Sequence, residues 1–314
     1  MKTTWFERAV FLSWYCAKGD CKFCYMSTQK KLIKDAKKAR RKPESILAEV
    51  FLCKKLGWKI EFLSGGYESY TTNELLFLIK NIYKIYGEKL WLNIGILNEY
   101  ELKKFRPYIY GVCGAVECIS AKLHDKICPS KPIKEIENMF RVCDKLKLKK
   151  AMTIIIGLGE TLKDFSLLKD FIKKYKIDKI TFYRLKPQKN TVFENKKAPE
   201  TDYYVEWIKK TRKAFPKIQI TVGSWLTHLD EIHLLLDAGA NSITKFPSIK
   251  LFNSKYAKKI ESEAKKANRK FIGSLTKLPK MDIDKELKQL KIYKKLKNNV
   301  KIKLDSYLKR MRSN

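Results

Sequence analysis

Short apolar runs rich in β-branched and aromatic residues recur along the chain at 9–14 (AVFLSW), 59–64 (KIEFLS), 90–95 (LWLNIG), 111–119 (GVCGAVECI), 151–156 (AMTIII), 179–185 (KITFYRL), 218–223 (IQITVG) and 241–246 (NSITKF). Each is short, bounded by polar or glycine-containing segments, and predicts a β-strand. Between them lie windows with apolar residues at helical spacing, at 44–56, 72–86, 98–106, 133–147, 162–174, 201–214, 226–238 and 252–267, and Pro43 opens the first of these. Eight strands alternating with eight helices predict a parallel (βα)8 barrel of the TIM type, an α/β fold. The DAGAN segment at 237–241 has the form of a short helix-to-strand turn within it. No Pro-, Gly- or Ser-rich linker divides the chain. We expect one barrel over residues 1–270 and a Lys-rich helical extension over 271–314.

Composition adjusts this picture in two places. The 314 residues carry 68 Lys and Arg against 33 Asp and Glu, a formal net charge of +35. Such an excess invites anionic partners, nucleic acid first. The lysines are spread along the whole chain, however, as in Lys- and Ile-rich sequences of heat-adapted prokaryotes, so nucleic acid is not the expected partner. The densest patch is KKLIKDAKKARRK at 30–42, with Asp35 its one acid. No apolar run approaches the length of a membrane span, and MKTTWFERAVFLSWYC does not resemble a secretion signal, so a cytoplasmic protein without a membrane partner is expected. Of eight cysteines, Cys53, Cys113, Cys118, Cys128 and Cys143 read as reduced thiols, mostly in apolar surroundings.

The other three are different. Cys16, Cys21 and Cys24 form C-x4-C-x2-C directly after the first strand, where a barrel enzyme places its chemistry. Structural zinc wants four ligands, and a fourth would have to come from a distance. A [4Fe–4S] cube held by three thiolates leaves one iron open to a substrate or cofactor. The spacing alone leaves both possibilities standing.

With its aromatic Phe23 before the last cysteine, CAKGDCKFC resembles the cluster loop of the radical S-adenosylmethionine (SAM) superfamily. Three further stretches resemble that superfamily in order. LSGGYES after the second strand is similar to its Gly-Gly-Glu-type segment, with Ser64, Gly65 and Gly66 matching and Tyr67 in place of Glu. TIIIGLGE at the fifth strand is similar to G-x-I-x-G-x-x-E, with Ile155, Gly157 and Glu160 matching and Thr153 in place of the first Gly. AGANSI before the eighth strand resembles the biotin synthase-like group. The resemblance covers about residues 10–270. It implies a [4Fe–4S] cluster on Cys16, Cys21 and Cys24, SAM on its open iron, and reductive cleavage to a 5′-deoxyadenosyl radical that abstracts hydrogen from a small-molecule substrate. It implies SAM contacts from Phe23, Ser64, Gly65, Gly66, Glu117, Ile155, Gly157 and Glu160. Lys131, or alternatively Arg184, stands where relatives carry a cation for the SAM carboxylate. An electron donor such as a ferredoxin or flavodoxin is the implied partner. Tyr67, Asn93, Thr221 and Lys245, as polar groups near strand ends, are expected to face the barrel mouth and a substrate.

Within the group, biotin synthase needs a second cluster, and the positions matching its ligands are Leu63, Trp91, Ala151 and Ser224, none of which can serve. The stretched first gap resembles instead the branch that builds the iron-guanylylpyridinol (FeGP) cofactor of [Fe]-hydrogenase (HmdB, or HcgA), known from methanogens. That branch normally has x5 where this chain has x4. A methylornithine synthase-like mutase and an [FeFe]-hydrogenase maturase-like enzyme are the neighbouring expectations. A basic RNA-binding protein with structural zinc is the expectation of another class.

Overall fold

The computed structural model describes residues 1–313. Its strands are β1 (Lys2–Phe11), β2 (Lys59–Ser64), β3 (Leu90–Asn93), β4 (Ile109–Glu117), β5 (Lys149–Ile156), β6 (Lys179–Arg184), β7 (Gln219–Gly223), β8 (Ser242–Thr244) and β9 (Arg269–Ile272). The helices are α1 (Tyr25–Gln29), α2 (Pro43–Leu56), α3 (Thr72–Tyr86), α4 (Glu99–Phe105), α5 (Ala121–Ile127), α6 (Ile133–Lys145), α7 (Phe165–Tyr175), α8 (Thr201–Ala214), α9 (Ile232–Asp237), α10 (Lys255–Lys266), α11 (Ile283–Gln289) and α12 (Lys294–Arg312). Strands β1 to β8 pair in parallel, each with the next, and β8 pairs with β1, closing the barrel. The (βα)8 architecture with a helical C-terminal extension is therefore present.

Local chemistry sets the helix ends. Thr71 and Glu74 form a reciprocal capping box at the start of α3, as do Asn98 and Glu101 at α4. Gly57 and Gly87 end α2 and α3 in the left-handed conformation that glycine adopts without steric cost. The helices bury their apolar faces against the outside of the barrel, where Ile46, Leu47, Val50, Phe51, Phe140, Trp207, Leu235 and Ile260 form part of one continuous core.

Two of the three register shifts in the barrel shape the interior. Arg8 stands opposite Ile60 and Val10 opposite Leu63, so Ala9 faces both Glu61 and Phe62. Gly114 stands opposite Met152 and Glu117 opposite Ile154, so Ala115 and Val116 share Thr153. A bulge re-aims side chains near a site. Here the first brings Glu61 and Phe62 into the lumen together, and the second ends in Glu117 at φ +62°. On β2 the lumen residue beside Trp91, Cys113 and Ala151 is thus Phe62, while Leu63 packs with the outer core.

The floor of the barrel is polar, and its buried charges are paired. Glu7 accepts from Lys179 Nζ at 2.5 Å, Ser242 Oγ at 2.8 Å, and Trp5 Nε1 and Gln219 Nε2 at 2.9 Å. Ser242 Oγ also shares a 3.0 Å hydrogen bond with Thr221 Oγ1.

Three features depart from the sequence expectation. Strand β1 begins at Lys2 rather than residue 9, because its first half alternates in burial with polar residues and lacks an apolar run. Strand β9 follows the barrel and pairs with Lys2–Trp5, so residue 270 falls inside a strand; RKFI, with its charged half-exposed residues, carries the pattern of an edge. Helix α5 lies within the long segment between the fourth and fifth strands, where none was expected. The extension is anchored by α12, which packs along α2. Val300, Leu304, Leu308 and Met311 are buried at helical spacing, and Tyr307 Oη lies 2.8 Å from Ser45 Oγ.

Candidate active site

A cavity of about 300 Å³ opens at the C-terminal ends of the strands, where this fold places its chemistry. Cys16, Cys21 and Cys24 all border it, and all three are half-buried. The loop that carries them is pressed against the loop after β2. A Cβ on Gly66 would lie 2.3 Å from the Tyr15 carbonyl and 2.4 Å from Cys16 Cβ, so only glycine permits this approach. Ala17 N donates to the Tyr67 carbonyl at 3.1 Å, and Ser69 Oγ to the Tyr15 carbonyl at 2.9 Å. Gly95, at φ +101°, leaves room for the Tyr67 ring, which a Cβ there would meet at 3.0 Å.

The thiols differ in environment. Burial pushes Cys24 up to about 11, whereas the Cys128 thiol beside Cys21 holds the Cys21 thiolate below its usual range and is itself raised. Among the described residues no three His, Cys, Asp or Glu side chains converge as metal ligands do. The donor set nonetheless fits an iron–sulfur cluster: three soft sulfurs border one cavity, and a glycine cradle presses against the first. Of the three histidines, none supplies a fourth ligand to the loop. His124 lies between the carbonyls of Val116 and Lys131, His233 pairs with Glu263 at 2.5 Å, and His228 pairs with Thr227.

On the β4 side, Glu117 accepts from Thr153 Oγ1 at 3.2 Å and pairs with Lys131 Nζ at 3.5 Å, both partners buried. Burial would push the Lys131 ammonium down; Glu117 and the neighbouring thiols outweigh it and raise it above its ordinary range. His124, bonded at 2.7 Å to Val116 O and 2.5 Å to Lys131 O, ties both ends of the segment that carries this pair.

Across the cavity lie Tyr183, Lys186, Trp225 and Lys245. Glu61 accepts from Tyr183 Oη and from Thr244 Oγ1, each at 2.5 Å. Burial raises the Glu61 carboxyl in spite of nearby Lys245 and Lys179. Lys245 Nζ sits 4.3 Å from the Tyr183 ring centroid and Lys186 Nζ 4.9 Å from that of Trp225. Neither lysine forms an ion pair among the described residues. Lys245 has φ +69°, an uncommon conformation for a side-chain-bearing residue.

Of the residues singled out from the sequence, Phe23, Ser64, Gly65, Gly66, Tyr67, Asn93, Glu117, Lys131, Ile155 and Lys245 border the cavity with the three cysteines. Four do not present their groups to it. Thr221 is buried a layer below, bonded to Ser242. Glu160 folds back on its own loop, accepting from the backbone of Gly157, Leu158 and Gly159 at 2.7, 2.9 and 3.2 Å. Gly157, at φ +109°, makes the turn that this clasp requires and packs against Pro199. Arg184 borders the cavity, but its guanidinium is committed to Glu231, Thr201 Oγ1 and the Pro199 carbonyl. Strand alternation explains this: Tyr183 takes the lumen, so Arg184 points to the helix layer. The sequence reading missed Lys18, Cys113, Lys186 and Trp225. The last two sit just past β6 and β7 in YRLKP and GSW, where strand-end position was the available signal. The AGAN turn lies between α9 and β8, where Asn241 Oδ1 accepts from Ile220 N and Arg212. Its role in the structure is that of a connection.

No family model matches the chain. Among solved structures, methylornithine synthase (PylB) superposes with a TM-score of 0.67 at 20% identity, over 77% of this chain and 72% of that one. The FeFe-hydrogenase maturase HydG from Carboxydothermus hydrogenoformans superposes with a TM-score of 0.68 at 14% identity, over 98% and 78%. The chain shares their fold. In sequence it is 27% identical over 195 residues to 7,8-didemethyl-8-hydroxy-5-deazariboflavin synthase of Archaeoglobus fulgidus, spanning 59% of this chain and 58% of that protein. It is 39% identical over 324 residues to the uncharacterized protein MJ0597 of Methanocaldococcus jannaschii, spanning 98% of this chain and 90% of the relative. At that identity and coverage, the chain belongs to the family of MJ0597.

Proposed function

We propose that this protein is a radical SAM enzyme. The observation that carries the reading is that three cysteines, the Gly65–Gly66 cradle and the Glu117–Lys131 pair all border one cavity at the barrel mouth. The fold shared with methylornithine synthase and HydG supports it. Cys16, Cys21 and Cys24 would hold a [4Fe–4S] cluster, which with bound SAM supplies a 5′-deoxyadenosyl radical.

The chain's own groups then divide the work. The Ser64, Gly66 and Tyr67 carbonyls already accept from Leu12 N, Ser69 Oγ and Ala17 N, so Gly65 offers the readiest carbonyl for the SAM amino group. Lys131 presents a buried cation for the SAM carboxylate, a point charge where a guanidinium would give a fork. Glu117 accepts from a ribose hydroxyl. Phe23 and Ile155 line the adenine side. Lys186 and Lys245, unpaired across the cavity, favour a substrate with an anionic group, and Tyr67 and Asn93 lie within the same cavity.

Formation of a pyridinol ring for the FeGP cofactor of [Fe]-hydrogenase is the specific step we favour, from the stretched cysteine loop and the methanogen relative. A methylornithine synthase-like or maturase-like reaction is the neighbouring choice. We place the protein in the cytoplasm; no described helix is long and apolar enough to cross a membrane.

The test is anaerobic reconstitution with iron and sulfide, then reduction. The expected protein is brown, absorbs near about 400 nm, and converts SAM to 5′-deoxyadenosine. Cys16→Ala abolishes both signals; cleavage that survives this change sinks the cluster assignment. A structural zinc site has one supporting observation, the proximity of Cys128 to Cys21. Cys128→Ala separates the two, since a four-cysteine zinc site loses its metal while a three-cysteine cluster keeps its iron.

A further inference from the structure

A second concave surface adjoins the cysteine loop on the outside of the barrel. It is lined by Trp14, Tyr25, Gln29, Leu32, Ile33, Lys34, Asp35, Lys38 and Ala39. Tyr25 belongs to both this groove and the inner cavity, and it directly follows Cys24, which opens α1. The groove is unusually apolar for an exposed place: Leu32 is 72% exposed, Trp14 50% and Tyr25 45%. Trp14 lies against Phe11 with the rings tilted by 50° at 4.4 Å and meets Tyr25 edge-on at 6.0 Å. A contiguous apolar surface with a polar rim marks an interaction site, and aromatic anchors are enriched in such sites.

The rim is cationic. Of the eight basic residues in 30–42, three are used internally: Arg40 pairs with Glu74, Arg41 with Glu49, and Lys30 reaches the Lys18 carbonyl. The two arginines fasten the segment to α3 and α2, while Lys30 and the Ser13–Arg40 bridge fasten it to the chain on either side of Cys16. Lys31, Lys34, Lys37, Lys38 and Lys42 remain exposed, with no ion-pair partner among the described residues. The single acid of the groove, Asp35, accepts from Lys37 N at 2.9 Å. An apolar centre ringed by unpaired lysines is complementary to an acidic protein surface with an apolar patch. Its position directly outside the cysteines gives that partner a task.

We propose that this groove is the docking face for an acidic one-electron carrier protein. The proposal rests on the radical SAM reading, in which each turnover begins with one electron delivered to the cluster. The carrier is oxidised by one electron and the cluster is reduced by one; no bond is made or broken at the docking face. Interfaces of redox partners are small and transient, below about 1,200 Å², which a groove of this size suits. Charge complementarity there raises the rate of encounter by about 10-fold or more and is screened by salt.

The experiment uses the full, cluster-loaded chain and compares two reductants, flavodoxin hydroquinone and dithionite. Lys31→Glu/Lys34→Glu/Lys38→Glu is expected to lower flavodoxin-driven SAM cleavage about 10-fold or more, with dithionite-driven cleavage within about twofold of wild type. Leu32→Asp is expected to do the same with a smaller salt dependence. Wild-type flavodoxin-driven cleavage should fall between about 50 and about 300 mM salt, and the triple variant's should not. Calorimetric binding of oxidised flavodoxin reads docking without any cleavage, so failure of SAM cleavage with dithionite counts against the radical reading alone. A triple variant that binds flavodoxin as wild type does overturns the docking proposal. So does equal loss with both reductants, or loss of poly(U) RNA binding while flavodoxin-driven cleavage is kept.

Discussion

At the floor of the barrel Glu7 meets Lys179, Gln219, Ser242 and Trp5, and every charge there has its partner. At the mouth Lys186 and Lys245 lie over aromatic rings without forming an ion pair, and three thiols border open space. The floor is built from residues of the strands and the mouth from the loops that follow the same strands. A buried ion pair with every lone pair satisfied is a closed structure, while a cation without an anion next to open volume is a place for one. Glu7 and Glu61 repeat the contrast at the scale of one residue type. Lys179 overcomes the burial of Glu7 and lowers its carboxyl; burial dominates at Glu61 and raises it.

The largest effect should come from opening the floor. Glu7→Gln leaves Lys179 buried without its counter-charge and should cost about 3–5 kcal/mol of stability, measured by urea denaturation. The wild-type pair also sets an acid limit. A carboxyl lowered in the folded state contributes stability above its ordinary value of 4.5 and loses it as pH falls through the folded value. Melting temperature in the Glu7→Gln variant should therefore be flatter on acidification below pH 4.5.

Detaching the extension comes next. Leu304→Ala empties a buried position between α12 and α2 and should cost about 2–4 kcal/mol. If denaturation instead shows two transitions, the extension is a unit separate from the barrel.

The mouth should respond in function before stability. Lys131→Met removes a charged hydrogen bond that we assign to SAM, worth about 1.5–3 kcal/mol, so SAM should bind about 10- to 100-fold more weakly by equilibrium dialysis. An unchanged affinity would return Lys131 to a structural partner of Glu117. Smallest of all is Glu61→Gln. Its carboxyl, raised by burial, holds two hydroxyls rather than an ion pair, so the substitution should cost about 1 kcal/mol. A loss matching that of Glu7→Gln would erase the distinction between the two levels.

Much of this was legible in the chain. Strand and helix alternation yields the barrel because apolar runs bounded by turn residues can bury themselves in few ways. The three cysteines announce themselves by spacing, and their place after the first strand puts them at the mouth. Gly66 was legible as a motif, but its reason was not: it is the approach of Tyr15 and Cys16, far away in sequence, that forbids a Cβ there. Arg184 and Thr221 mark the limit of strand-end reasoning. A one-residue change of phase moves a side chain from lumen to helix layer, and a two-residue change along the strand moves it from mouth to floor.

What the sequence alone determined, then, is the alternating architecture, the cysteine loop and its position, and the basic run beside it. Those are local facts, written in periodicity and spacing. Only the tertiary structure decided which charges are spent. It pairs Glu7 with Lys179 across 172 residues and joins Glu61 to Tyr183 across 122. It leaves Lys186, Lys245 and the lysines around Trp14 and Leu32 without an ion pair among the described residues. Pairing depends on distance in space, which barrel closure and two strand bulges set and which no spacing along the chain encodes.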